Sequence, residues 1–121
     1  MKYIGASKIQ GNGLFVGVPV SRGTTIVDYR YIKDWYFLDV SQLTDYQINH
    51  NWIIMIDDKV CETTDIIHDL NYMNHSRTPN TNWHIKDKYI TAARDIEAGE
   101  ELTIDYRLEE RSNRTEFPDW I

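Results

Sequence analysis

The nonapeptide Ala98-Gly99-Glu100-Glu101-Leu102-Thr103-Ile104-Asp105-Tyr106 places a glycine turn before a short strand, Glu101 to Ile104, which delivers an acid and a tyrosine at its end. Upstream of it, Asn82 to Lys86 and Tyr89 to Arg94 flank Asp87-Lys88 as a hairpin. Trp52 to Ile56 is a short apolar run, and the polar turn Asp57-Asp58-Lys59 separates it from Val60-Cys61. Thr24 to Ile32 is rich in β-branched and aromatic residues, with Pro19 to Gly23 breaking the chain before it. Lys8-Ile9 leads into a turn at Gln10-Gly11-Asn12-Gly13, and Leu14 to Val18 reads as the returning strand. Helical signals occur twice, each opened by a residue able to cap: Ser41 to about Asn49, and Thr64 or Asp65 to about Met73. With no repeat, low-complexity segment or linker, the expectation is a mostly-β single domain over residues 1–121 carrying one or two short helices.

Composition bounds the function. A chain of 121 residues, 41% hydrophobic, holds one compact core and is too short for two. No apolar run approaches the ~20 residues that span a bilayer, and Met1-Lys2-Tyr3-Ile4-Gly5 lacks the apolar stretch of a secretion signal. A soluble intracellular protein without a membrane partner is expected, with cytoplasm and nucleus not distinguished. Cys61 is the only cysteine, which excludes an internal disulfide and a cysteine-based zinc site. Net charge is −6 and no block of Lys or Arg forms a nucleic-acid tail, so direct nucleic-acid binding is not expected. A basic partner suits this charge, although mild acidity also serves simply to keep a small domain soluble.

Taken in order, four segments resemble the SET family of lysine methyltransferases. Gly11-Asn12-Gly13-Leu14-Phe15 is similar to the family's GxG turn and following apolar strand, and Ile26-Val27-Asp28-Tyr29 to a strand ending in an acid and a tyrosine. Tyr72-Met73-Asn74-His75-Ser76-Arg77-Thr78-Pro79-Asn80 is similar to the signature apolar-NHSxxPN, and the opening nonapeptide to GEELTxDY. The last two carry the identification. The resemblance implies the SET fold of several small curved β-sheets. In it the C-terminal segment threads beneath a loop as a pseudoknot, bringing Asn74-His75 against Tyr106. It also implies S-adenosylmethionine as cofactor and a lysine of a protein or peptide as methyl acceptor.

Residue roles follow from the same resemblance. Gly11 to Phe15 would bend around the methionine end of the cofactor, a reading that stands beside an ordinary hairpin turn. Asn74, with an amide donor and an acceptor, would grip the charged amino-acid part, and the His75 backbone the adenine edge. Tyr106 is the expected catalytic residue, its hydroxyl beside the transferring methyl. Tyr29 would line the lysine channel, or else serve as a core aromatic. Asn-His-Ser does not signal a hydrolase, since Ser76 lacks a G-x-S-x-G elbow. His50, His68, His75 and His84 lack metal-ligand spacing, so no metal is expected.

The chain also departs from the family pattern. Arg77 stands where many members have cysteine, Asn71 where arginine is common, and no cysteine-rich segment follows Tyr106. Leu108 to Ile121, with Phe117 and Trp120, is expected to close the channel in its place. Ile104 occupies a position where an aromatic influences how many methyls are added, so multiplicity stays open. A histone tail is a candidate substrate, and the chain resembles the small SET proteins of viruses and bacteria more than large chromatin enzymes. A catalytically inactive SET-like peptide-binding module is the alternative function. A homodimer is compatible with the small core, with no interface assigned.

Overall fold

The computed structural model describes residues 1–107. Its strands are β1 (Lys2–Ala6), β2 (Asn12–Val16), β3 (Thr25–Asp28), β4 (Tyr36–Asp39), β5 (Trp52–Met55), β6 (Val60–Thr64), β7 (Asn74–His75), β8 (Thr81–His84), β9 (Tyr89–Ala92) and β10 (Glu101–Ile104), with one α-helix, α1 (Asp45–His50). They form three small sheets ordered β1-β2-β10-β7, β3-β9-β8 and β4-β6-β5. This is the mostly-β architecture of several small sheets that the sequence called for.

Placement of β10 organises the molecule. It lies antiparallel to β2, with Leu102 opposite Leu14, and parallel to β7, with Thr103 opposite Asn74 and Ile104 opposite His75. Parallel neighbours need a long crossover, here the whole of β8, β9 and their connections. Insertion of a late strand between two earlier ones is the crossing that the expected pseudoknot requires. Leu102 and Ile104 are fully buried and meet Leu14, Val16, Met73 and Ile90 in one core cluster. Burial of these side chains, each worth about 1.5–3 kcal/mol, is what pins β10 in its slot.

The helical segments differ from expectation. Ser41 to Asn49 splits into a 3-10 turn, Val40–Gln42, and α1, because Leu43 and Thr44 are extended. The Thr44 hydroxyl accepts from the Gln47 amide and Gln47 caps Thr44 in return, so the helix starts at Asp45. Thr64 belongs to β6, where it faces Trp52, and only Asp69–Tyr72 winds, as a 3-10 turn capped by His68. The β-branched pair Thr63-Thr64, both fully buried, favours the strand over the cap. Strands β1 and β4 were not anticipated. The run from Thr24 to Ile32 keeps strand geometry only to Asp28, after which the chain turns, the Ile32 amide donating to the Tyr29 carbonyl. Among the described residues no helix is long and apolar enough to cross a membrane. The segment expected to close the channel, Leu108 to Ile121, lies outside the described residues.

Candidate active site

Pairing of β7 with β10 brings the Asn74-His75 segment and Tyr106 to one place. The Ser76 amide donates to the Ile104 carbonyl at 2.9 Å, holding the loop after β7 along β10. Two residues beyond β10, the Tyr106 amide donates to His75 Nδ1 at 3.1 Å, and the phenol donates to the Met73 carbonyl at 2.6 Å. The His75 and Tyr106 rings lie 5.0 Å apart. A cavity of about 220 Å³ is lined by Ile9, Gln10, Asn74, His75 and Tyr106. The turn before β2, the β7 loop and the residue after β10 thus share one hollow.

Acceptors crowd around the amide of Asn74, one of the lining residues. Asn74 Nδ2 lies 2.9 Å from Glu101 Oε2 and 3.1 Å from each of Ser7 Oγ, the Gln10 carbonyl and the Asn12 carbonyl. The Ser7 hydroxyl donates to the Glu101 carboxylate at 2.7 and 2.9 Å. Gly11 has φ +48, where a side chain is strained, whereas Gly13 needs no special backbone. A Cβ at Gly13 would stand 2.6 Å from Glu101 Oε2 and 2.8 Å from its Cδ. The second glycine therefore makes room for a carboxylate.

Electrostatics fix the protonation of the two rings. Burial, helped by the Glu101 charge, pushes the Tyr106 phenol up to about 12, so at neutral pH it is a hydrogen-bond donor and no base. Burial also lowers the His75 pKa against the opposing pull of Asp105. His75 Nδ1 approaches Asp105 Oδ1 at 3.8 Å, but it accepts the Tyr106 amide, so the imidazole is neutral and the approach is no ion pair. Asp105 is instead held below the usual carboxylate range by Arg107, whose guanidinium bonds it at 2.7 and 3.0 Å.

A family profile described as SET domain matches residues 11–107, the span that carries the turn, the β7 loop and Tyr106. The chain belongs to the SET-domain family. It is 30% identical over 127 aligned positions to the Drosophila melanogaster protein named Histone-lysine N-methyltransferase trr, covering 96% of this chain and 5% of that protein. The chain thus spans a small part of that relative's length. Among solved structures it is similar to a Plasmodium falciparum protein described as a candidate histone methyltransferase, with TM-score 0.55, 18% identity and coverage of 88% of this chain and 96% of that one. It is similar also to a humanized mutant of the Chaetomium thermophilum Polycomb Repressive Complex 2 bound to the inhibitor GSK126, with TM-score 0.58, 19% identity and coverage of 88% and 15%. At those identities the two structures establish a shared fold.

Aromatic side chains back the tyrosine of this SET domain. Trp52 meets the Tyr106 ring edge-on at 5.5 Å and Trp83 at 5.8 Å. Trp83 Nε1 donates to the Tyr29 hydroxyl at 3.0 Å, and Tyr29 stacks on His68 at 5.7 Å. Tyr29 is 1% exposed and belongs to the core cluster. It is tied to the site through two tryptophans and packs as the core aromatic of the second reading.

Of the residues singled out from sequence, Asn74, His75 and Tyr106 line the cavity, the Asn12 carbonyl lies against the Asn74 amide, and Gly13 adjoins the Glu101 carboxylate; Gly11 is not among the lining residues. Leu14 is buried in the core, and Phe15 stacks on Tyr3 at 5.4 Å, so the strand after the turn packs the sheet. Sequence reasoning assigned nothing to Ser7, Gln10, Glu101, Trp52 or Trp83. Glu101 lay within the quoted nonapeptide and carried a signal, a second acid directly after the first. The two tryptophans gave none that set them apart from ordinary strand aromatics.

Proposed function

We propose that this SET domain transfers a methyl group from S-adenosylmethionine to the ε-amine of a lysine in a protein or peptide. The observation that carries the reading is the protonated Tyr106 hydroxyl, pinned to the Met73 carbonyl beside a cavity shared with Asn74 and His75.

The residues present fit such a cofactor. An acceptor-rich wall suits an amino-acid ammonium, and glycines at 11 and 13 keep the turn free of side chains. Asn74 and the His75 backbone would hold it, with Gly11, Asn12 and Gly13 alongside. When bound, S-adenosylmethionine supplies an electrophilic methyl on a positively charged sulfur.

The chain's own residues then have three tasks. Tyr106 donates its proton to the Met73 carbonyl, so toward an incoming amine its oxygen acts as an acceptor that can orient the amine. With a pKa of about 12 it does not remove the lysine proton, which must leave to solvent. A lysine with an ordinary pKa near ~10.4 is charged and has no lone pair, so it must be made neutral before attack. Trp52 and Trp83 provide the apolar wall that disfavours the ammonium form and so eases that loss.

A histone tail is the first substrate to try, given the name of the Drosophila relative and a net charge of −6 that favours a basic partner. A histone substrate would place the protein in the nucleus. In this reading the whole chain, 1–121, acts as one SET domain and depends on Leu108 to Ile121, which lie outside the described residues; truncation after Arg107 should then abolish turnover. A homodimer belongs to the same reading and is tested by sedimentation. The deciding experiment is incubation with labelled S-adenosylmethionine and core histones, followed by a proteome lysate, with mass spectrometry of modified peptides. Cofactor binding with no methylated lysine in either would favour the inactive peptide-binding alternative.

A further inference from the structure

We infer that Glu101 is a binding residue of the donor pocket, its carboxylate selecting ligands that carry an ammonium group. This rests on the proposed methyl-donor reading and adds to it a charge that reads charge.

Three observations support it. First, the carboxylate is placed with care. Glu101 opens β10 opposite Phe15, and its side chain fills the space that a Cβ at Gly13 would need. A glycine without positive φ, where any residue could adopt the backbone, is explained by that carboxylate. Second, it has no counter-cation. Among the described residues the ion pairs engage Asp28, Asp69, Glu100 and Asp105, and the Glu101 carboxylate is bonded to the neutral Ser7 hydroxyl and Asn74 amide. A partly buried negative charge held by neutral donors alone is costly to desolvate, and a cation arriving beside it recovers that cost.

Third, acceptors outnumber protons around Asn74 Nδ2. The amide has two hydrogens, yet Glu101 Oε2, Ser7 Oγ and the Gln10 and Asn12 carbonyls all lie within 2.9–3.1 Å. The Ser7 hydrogen is already committed to Glu101, and its oxygen also accepts from the Ile9 and Gln10 amides. Two acceptors are therefore left without a proton from Asn74. An ammonium brings three hydrogens and a full charge to a place that lacks both. A sulfonium brings charge but no hydrogen, so the amine end of the donor is the part this wall fits.

The test is Glu101→Gln in the full chain, titrated calorimetrically with S-adenosylhomocysteine and with its deaminated analogue, in which hydrogen replaces the ammonium. Wild type should prefer the amine-bearing ligand by at least about tenfold, and the variant should lose most of that preference by weakening toward the amine-bearing ligand alone. Thermal melting gives a second readout. Unliganded Glu101→Gln should melt no lower than wild type, since an uncompensated charge has been removed, while the upward shift caused by S-adenosylhomocysteine should shrink. Equal weakening toward both ligands, a preference kept by the variant, or a lower melting point without ligand would each overturn the inference, marking the carboxylate as purely structural. Wild-type protein that binds neither S-adenosylmethionine nor S-adenosylhomocysteine would instead remove the donor reading itself.

Discussion

The Tyr106 phenol donates to the Met73 carbonyl at 2.6 Å, so the hydroxyl nearest the cavity is oriented by the backbone of the residue that precedes Asn74. The same loop that would hold the cofactor thereby aims the tyrosine. Tyr106→Phe removes the oxygen and keeps the ring against Trp52 and His75. Turnover should fall by roughly 10²-fold or more, while the Kd for S-adenosylmethionine stays within about threefold. Single-turnover kinetics beside calorimetry measure both, and unchanged turnover would remove Tyr106 from its role.

The two glycines of the turn should respond differently. Gly13→Ala sets a methyl 2.6 Å from Glu101 Oε2, so the carboxylate must move and Asn74 loses a partner. Cofactor affinity should drop by at least about tenfold. Gly11→Ala meets open space but strained backbone, which costs about 1–2 kcal/mol of stability and leaves affinity nearer wild type. Denaturant melts and titrations on the two variants check the contrast.

Trp83 and Tyr29 form a partly buried donor and acceptor pair at 3.0 Å. Trp83→Phe and Tyr29→Phe should each destabilise, since either leaves one member of the pair without the other, at a cost of about 1–3 kcal/mol. The double variant should cost less than the sum by about 1 kcal/mol, read from urea unfolding. Strict additivity would mean the bond contributes nothing.

His68 should contribute a pH dependence to folding. Stacked on Tyr29, near Trp35 and beside Asp69, it is buried enough for its pKa to fall to about 4. A histidine depressed on folding contributes fully above its unfolded value near 6.5, and that contribution is lost as pH falls through about 4. Roughly 3 kcal/mol is the upper scale of the loss. His68→Asn keeps a cap acceptor for the Leu70 amide and removes the titration. Its unfolding free energy should vary less between pH 6.5 and 4 than wild type, and parallel curves would refute the assignment.

Much of this architecture was legible because the informative residues are punctuation and chemistry. Gly99 and the strand after it and the Asp87-Lys88 hairpin carry local signals that tertiary structure did not overrule, and the Asn74, His75 and Tyr106 set was legible through its resemblance to the SET motifs. What escaped depends on partners far along the chain. Lys2–Ala6 is a strand because β2 lies beside it, and its residues are mostly exposed, which hides the pattern that burial would print. Thr64 could cap a helix as readily as end a strand until Trp52 is known to face it. Glu101 looked like one acid among many, since its meaning comes from Gly13 and Ser7, residues nearly the whole chain away.

Seating β10 between β2 and β7 makes the fold depend on contacts far apart in sequence. Among the described residues 101–104 form the last strand, and it joins β2 to β7 in one sheet. Contacts so distant in sequence are slow to close, so this chain should fold on the slow side for its size. The contacts that seat β10 in the core also carry Tyr106 to the Met73 carbonyl. Core packing and the placing of that hydroxyl are thus two results of one strand insertion, and a change that loosens β10 should be felt in both.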